Sequence, residues 1–174
     1  MKGTKAGIIL ALLMAVGTAP LAAQVGFFVG GGPTFPTSDY DDYAKTGWMG
    51  MAGVGFSLPA LPIQIRGEGL YGRNSHDDTS GDRTDLYGGM ANVTFSFPLG
   101  PVKPYLVGGL GMLNHHYAPG TDGVDSENEW KAVYGGGVGI NLSLAVVGLF
   151  IEGRYLKRSD TSIIPVMVGI RFGG

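Results

Sequence analysis

The strongest constraint in this sequence is a two-residue alternation of apolar and polar side chains, repeated in segments of about ten residues. From residue 86 to 97, one face carries Tyr87, Val93 and Phe95, and the other carries Asn92 and Thr94. A period of two is typical of a β-strand whose two faces meet different surroundings. The pattern predicts eight strands, at residues 25–35, 47–58, 63–73, 86–97, 102–114, 130–142, 148–157 and 164–172.

The connections between these segments alternate between long and short. Four of them are long and polar, at residues 36–46, 74–85, 115–129 and 158–163, and three are short, at residues 59–62, 98–101 and 143–147. If neighbouring strands are antiparallel, the long loops gather at one end of the sheet and the tight turns at the other. An even strand number with this asymmetry predicts an all-β fold, an eight-stranded antiparallel up-and-down transmembrane β-barrel.

Alternation alone does not distinguish this barrel from a soluble periplasmic one, but two further features favour lipid on the outside. Twelve of the 14 acidic residues fall in the four long loops, and only Glu68 and Glu152 fall in strands. Aromatic residues fall at two levels, as expected for a bilayer with two interfaces. The predicted aromatic girdles are Trp48, Tyr71, Tyr87, Trp130 and Tyr155 at the long-loop end, and Phe27, Phe56, Phe95, Phe97 and Phe172 at the other.

The N-terminus has the pattern of an export signal. Lys2 and Lys5 precede an apolar run at residues 6–16, which is shorter than the ~20 residues that a membrane-spanning helix needs. Small residues then lead to a predicted cleavage site after Ala23. We expect residues 1–23 to be a signal peptide and residues 24–174 to be the barrel domain.

Composition excludes several classes of site and partner. The chain has no cysteine, which rules out disulfides and thiolate metal sites. Its net charge of −2 and the absence of a basic stripe argue against nucleic acid as a partner. No cofactor is expected.

Two motifs accompany the export pattern and the eight predicted strands: the glycine-rich run Val107-Gly108-Gly109-Leu110-Gly111 and the closing segment at residues 166–172. With these features the chain resembles the small outer-membrane β-barrel family. Members include the membrane domain of outer membrane protein A, adhesion and serum-resistance barrels, and opacity proteins. The resemblance implies a Gram-negative outer membrane, both termini in the periplasm, a monomer, and contact with lipid and lipopolysaccharide. In that family the last strand ends the chain on an aromatic residue, whereas here Phe172 is followed by two glycines.

An eight-stranded barrel is just wide enough for its inward side chains to fill it, so we expect a packed polar core. The inward faces of the third and seventh strands carry charges in inverted order, Arg66 and Glu68 against Glu152 and Arg154. These strands lie opposite each other, so we expect Arg66 to meet Glu152 and Glu68 to meet Arg154, or all four to form one network. Unpaired burial would cost several kcal/mol per charge. The further candidates for this lumen charge network are Lys131, Arg171 and, on a weakly alternating strand, Lys103.

These features favour a non-enzymatic envelope scaffold that displays four extracellular loops for interaction with, or adhesion to, host or environmental surfaces, or that simply contributes to envelope integrity. A narrow channel or small-solute porin gated by the lumen charges is the first alternative. A lipid-A-modifying enzyme is a weaker one, because no serine is predicted on a lipid-facing strand position beside His76, His115 or His116. The same histidines and their acidic neighbours lack a fixed ligand spacing, so no metal site is predicted.

Overall fold

The computed structural model describes residues 25–37, 46–58, 61–75, 83–118, 127–144, 147–159 and 161–173, with the backbone alone at 74–75, 83–84, 115–118 and 127–129. The eight strands are β1 (Val25–Thr37), β2 (Gly47–Ser57), β3 (Ile63–Ser75), β4 (Arg83–Ser96), β5 (Val102–Ala118), β6 (Glu127–Ser143), β7 (Val147–Arg158) and β8 (Thr161–Gly173). Among these residues, no helix is long and apolar enough to cross a membrane. The predicted signal peptide and His76 lie outside the described residues.

Each strand pairs with the next in antiparallel register, and β1 also pairs with β8, so the sheet closes into a barrel. The closing register brings Phe27 beside Phe172. Closure pairs every strand on both sides, as a strand in lipid requires. The predicted fold class is confirmed.

The strands extend further toward the long-loop end than the sequence predicted. β5 continues to Ala118 and β6 begins at Glu127, where Tyr117 pairs with Glu127. His115, His116, Glu127, Glu129 and Asp85, all predicted in loops, therefore lie in strands. The reason is that ladder hydrogen bonds involve only the backbone, so pairing can continue into polar sequence beyond the apolar band. The prediction that Glu68 and Glu152 are the only acids in strands is wrong.

The fourth outer connection is also shorter than predicted. β7 ends at Arg158 and β8 begins at Thr161, and these two residues pair directly. Ser159 has a φ of 34°, a left-handed value of the kind that two-residue hairpin turns require. Only three outer connections remain long, at residues 38–46, 76–82 and 119–126.

The outward face is apolar over most of its height. Leu110 and Val138 are exposed at 68% and 61% in the middle of β5 and β6. All ten predicted girdle residues are exposed on this face, and so are Phe35 and Tyr134, which were not predicted. Aromatic contacts run along the outer level, with Trp48 and Tyr71 ring centroids 5.6 Å apart and Tyr87 and Trp130 centroids 5.7 Å apart. At the short-turn end, Phe95 and Phe97 are 5.1 Å apart.

Candidate functional site in the lumen

Two strands on opposite walls of the barrel supply the charged residues of the lumen. β3 turns Arg66 and Glu68 inward on either side of Gly67, and β7 does the same with Glu152 and Arg154 around Gly153. The four charged residues are 1–6% exposed, whereas Ile151 and Tyr155 on the same β7 strand face outward. The two-residue period of the strand therefore places charges inside and apolar groups in lipid.

The four charges form one closed set of contacts. Arg66 Nη1 donates to Glu152 Oε2 at 2.8 Å, and Arg154 Nη2 donates to Glu68 Oε2 at 2.9 Å. These are the two pairs that the inverted charge order predicted, Arg66 with Glu152 and Glu68 with Arg154. Arg154 Nε also donates to Glu152 within β7, and Arg66 Nη2 lies 3.5 Å from Glu68 Oε2 within β3. Two guanidinium and two carboxylate groups thus balance each other in the centre of the barrel.

Tyr105 on β5 extends this network, and the sequence did not point to it. Its hydroxyl donates to Glu152 Oε2 at 2.7 Å, so one carboxylate oxygen accepts from both Tyr105 and Arg66. The phenol ring fits because its cross-strand neighbour is Gly139, where any Cβ would overlap the ring. With the strand register known, a tyrosine opposite a glycine on the neighbouring strand would have indicated that Tyr105 reaches into the lumen.

An aromatic layer lies on the short-turn side of the charges. The Arg66 guanidinium lies over the Phe28 ring, 4.3 Å from its centroid, in a cation–π arrangement. Phe28 in turn meets Phe150 edge to face, with centroids 6.4 Å apart. The rings cover one side of the charge network without competing for its hydrogen bonds.

The outer half of the lumen is mainly apolar, with Thr34 and Arg158 as buried polar residues on its inward face, so the expected polar core describes the charge network and not this half. Buried side chains from all eight strands contribute to the apolar cluster, and on the outer side of the charges these are Met49, Met51, Leu70, Leu86, Met90, Leu113, Val133, Leu156, Ile163 and Met167. The cavity among Leu86, Leu113 and Leu156 measures about 20 Å³, room for about one water. Inward faces of β4 and β6 mix glycine with apolar residues, so alternation indicated their direction but not their polarity.

The three further candidates of the network lie apart from it. Lys103 and Arg171 line a cavity of about 980 Å³ at the short-turn end of the barrel, which we call the vestibule. Arg171 also shares a smaller cavity with Arg66, on the vestibule side of that residue. Lys131 lies toward the long-loop end, where it pairs with Leu113 of the apolar layer. Among the described residues, none of the three has an ion pair with Glu68 or Glu152.

A second ion pair lies on the outside of the barrel at the long-loop end. Arg73 Nε donates to Asp85 Oδ1 at 2.6 Å, and Arg73 Nη2 donates to the Tyr71 hydroxyl at 3.2 Å. Arg73 and Asp85 were predicted at a strand end and in a loop, so their cross-strand contact was missed. It lies just beyond the aromatic girdle, where polar groups meet the membrane interface.

Metal-binding chemistry finds no support in the described part of the chain. No group of three or more His, Asp or Glu side chains there is arranged to hold a metal ion. The side chains of His115 and His116 lie outside the described residues.

The fold and this lumen define a small transmembrane β-barrel with a filled interior. The family model for the outer membrane protein beta-barrel domain matches residues 8–172, and the chain belongs to that family. The family is one of bacterial outer-membrane proteins. Among the curated proteins, none matches the chain.

Solved structures share the architecture at low sequence identity. Neisserial surface protein A is 16% identical with a TM-score of 0.69, the alignment covering 86% of this chain and 97% of that one. Ail, the attachment invasion locus protein of Yersinia pestis, is 16% identical with a TM-score of 0.59, covering 86% and 99%. The N-terminal β-barrel domain of Pseudomonas aeruginosa OprF is 11% identical with a TM-score of 0.53, covering 87% and 98%. At these identities the likeness concerns the fold alone.

Proposed function

We propose that this protein is a monomeric, non-enzymatic scaffold of the outer membrane that displays its three long outer connections for surface interaction. The observation that carries the proposal is the filling of the lumen between the vestibule and the long-loop end. Glu152 and Arg154 are 1% and 3% exposed, and the apolar layer lies beyond them. A barrel whose interior is packed in this way stabilises the connections that it carries.

The composition of the outer connections indicates the kind of surface that they bind. Residues 38–46, 76–82 and 119–126 contain eight aspartates (three, three and two) and one lysine. Ail of Yersinia pestis has been solved with a heparin analogue, sucrose octasulfate, which is a polyanion. Acidic connections repel such a ligand, so we infer that this chain prefers cationic surfaces, or lipopolysaccharide reached through divalent cations.

Binding by protein in lipid nanodiscs tests the proposed surface. We expect the wild-type chain to bind immobilised cationic peptide and not immobilised heparin. Replacing Asp39, Asp41 and Asp42 by asparagine should weaken the binding, whereas Lys157→Gln on the barrel wall should not. Preference for heparin, or equal binding by both variants, would contradict the proposed loop role.

Recordings in planar bilayers separate the scaffold from the gated channel. A filled lumen predicts no stable conductance steps for the wild-type chain, and the same trace for Glu152→Gln. Steps in the wild-type protein that change with Glu152→Gln would favour the channel alternative. Incubation with lipopolysaccharide followed by lipid mass analysis should show no modified lipid A.

A further inference from the structure

The vestibule is a wide cavity at the short-turn end of the barrel. It measures about 980 Å³ and is bounded by the short turns and the strand ends beside them, including Leu61, Pro98 and Leu144. Short turns of outer-membrane barrels face the periplasm, so a solute reaches this cavity from that side. Its volume is at the upper end of the range for small-molecule sites, roughly 300–1,000 Å³.

The charge of the vestibule is positive. Lys103 and Arg171 both line it, and no carboxylate does among the described residues. Neither cation has a hydrogen bond or ion pair within the described ranges, in contrast to Arg66 and Arg154, which contact Glu68 and Glu152. The amide side chains of Gln64 and Asn141 add neutral hydrogen-bonding groups to the same wall.

A buried donor without a partner lies on a second cavity that adjoins the vestibule. A smaller cavity of about 10 Å³ is lined by Gln64, Asn141 and Arg171, which it shares with the vestibule, and by Arg66 and Tyr105. Arg66 uses Nη1 and Nη2 in the charge network, but its Nε is buried and has no hydrogen-bond partner. A buried N–H without a partner is uncommon, because it forgoes the hydrogen bond that water would supply.

We propose that the vestibule is a binding site for a small organic anion from the periplasm, with a phosphate or carboxylate group held by Lys103 and Arg171. Guanidinium and ammonium groups bind both kinds of oxyanion, and the planar guanidinium adds directional, paired hydrogen bonds. A low-dielectric wall lined by one sign of charge also raises the local concentration of counter-ions. The amides of Gln64 and Asn141 then orient the uncharged part of the ligand.

Titration calorimetry of the full chain in detergent micelles, at constant ionic strength, tests the site with two probes. Pyrophosphate and citrate represent the phosphate and carboxylate classes, and the tighter probe identifies the preferred group. We expect saturable binding of at least one, no binding of the polycation spermine, and a Kd at least about tenfold weaker in the Lys103→Gln/Arg171→Gln double variant. Lys157→Gln, which removes an exposed lysine from the outer wall of β7, should leave the Kd unchanged.

Several outcomes would overturn the proposal. These are the absence of saturation with both probes, an unchanged Kd in the double variant, and an equal loss in Lys157→Gln. Heat-modifiable migration on gels checks that each variant is folded. If the double variant does not fold, Lys103→Gln and Arg171→Lys replace it, and both should still weaken binding, the second by losing the paired hydrogen bonds of the guanidinium.

Discussion

Arg66 and Glu152 meet across the lumen of the barrel, with Arg66 Nη1 2.8 Å from Glu152 Oε2 at a sequence separation of 86. They lie on β3 and β7, which share no backbone hydrogen bonds because each is paired with its own neighbours. The side-chain contact therefore links opposite walls that the sheet connects only through the strands between them. Glu152 also accepts from Arg154 and Tyr105, so this carboxylate is the centre of the network.

Glu152→Gln should lower the free energy of unfolding by about 3–5 kcal/mol, because it leaves two buried guanidinium groups short of a counter-charge. Urea unfolding in detergent micelles, followed by the fluorescence of Trp48 and Trp130, measures the loss. Asp85→Asn is the control, since it breaks an ion pair with Arg73 at the exposed end of the barrel. The loss in Asp85→Asn should be the smaller one. Similar losses in the two variants would mean that the lumen contacts contribute no more than an exposed pair.

Tyr105→Phe should reduce stability by about 1.5–3 kcal/mol, the range for a hydrogen bond to a charged group. The ring remains beside Gly139, so the change removes the hydroxyl from Glu152 without opening a cavity. Tyr155→Phe is matched to it, because it removes a neutral, partly buried bond to Ser162 Oγ of 2.8 Å. We expect a loss of about 0.5–1.5 kcal/mol there. A loss at Tyr155 as large as the one at Tyr105 would count against a special role for the charged acceptor.

The difference between Arg66 and Tyr105 explains how far the sequence could predict the site. Charges are rare in a membrane-spanning strand, so their inward direction and their inverted order on β3 and β7 could be recognised from alternation. A tyrosine is common on either face, and its contact with Glu152 depends on a register that pairs it with Gly139. The contact could not be predicted because register is a property of two strands.

The long-loop end of the barrel shows a second limit of prediction from the sequence. The polar residues between β7 and β8 predicted a long loop, but pairing of Arg158 with Thr161 reduces the connection to two residues. Backbone hydrogen bonds do not distinguish a polar side chain from an apolar one, so composition overestimates loop length wherever a strand leaves the lipid. The apolar layer around Met49 and Leu113 was hidden for a related reason, since inward residues of a small barrel need only fill space.

Gly139→Ala should destabilise the barrel by about 1–3 kcal/mol, because the added methyl group overlaps the Tyr105 ring and forces it to move. Gly153→Ala is the matched control on the next strand, where a Cβ has no atom within 4 Å. That change should be neutral or stabilising by about 0.5–1 kcal/mol, since glycine is unfavourable in a strand interior. Unfolding midpoints of the two variants in urea compare them directly. If the double variant Gly139→Ala/Tyr105→Ala loses as much stability as the two single variants lose in sum, the clash with the Tyr105 ring is not the cause.

Val138→Arg should reduce stability by about 2–4 kcal/mol if the outward face lies in lipid, because a charge near the bilayer midplane loses its hydration. Val138 is 61% exposed and lies between Leu106 and Gly153 in the centre of the apolar band. Ala132→Arg places the same side chain on the same face of β6, near the outer girdle residue Trp130, where the cost falls to about 0–1 kcal/mol. Unfolding titrations of refolded protein in lipid vesicles supply both values. A soluble barrel would accept arginine at both exposed positions with little change, so equal and small effects would contradict the membrane orientation. A large cost at Val138 with a small one at Ala132 ties the effect to depth in the bilayer and not to the strand.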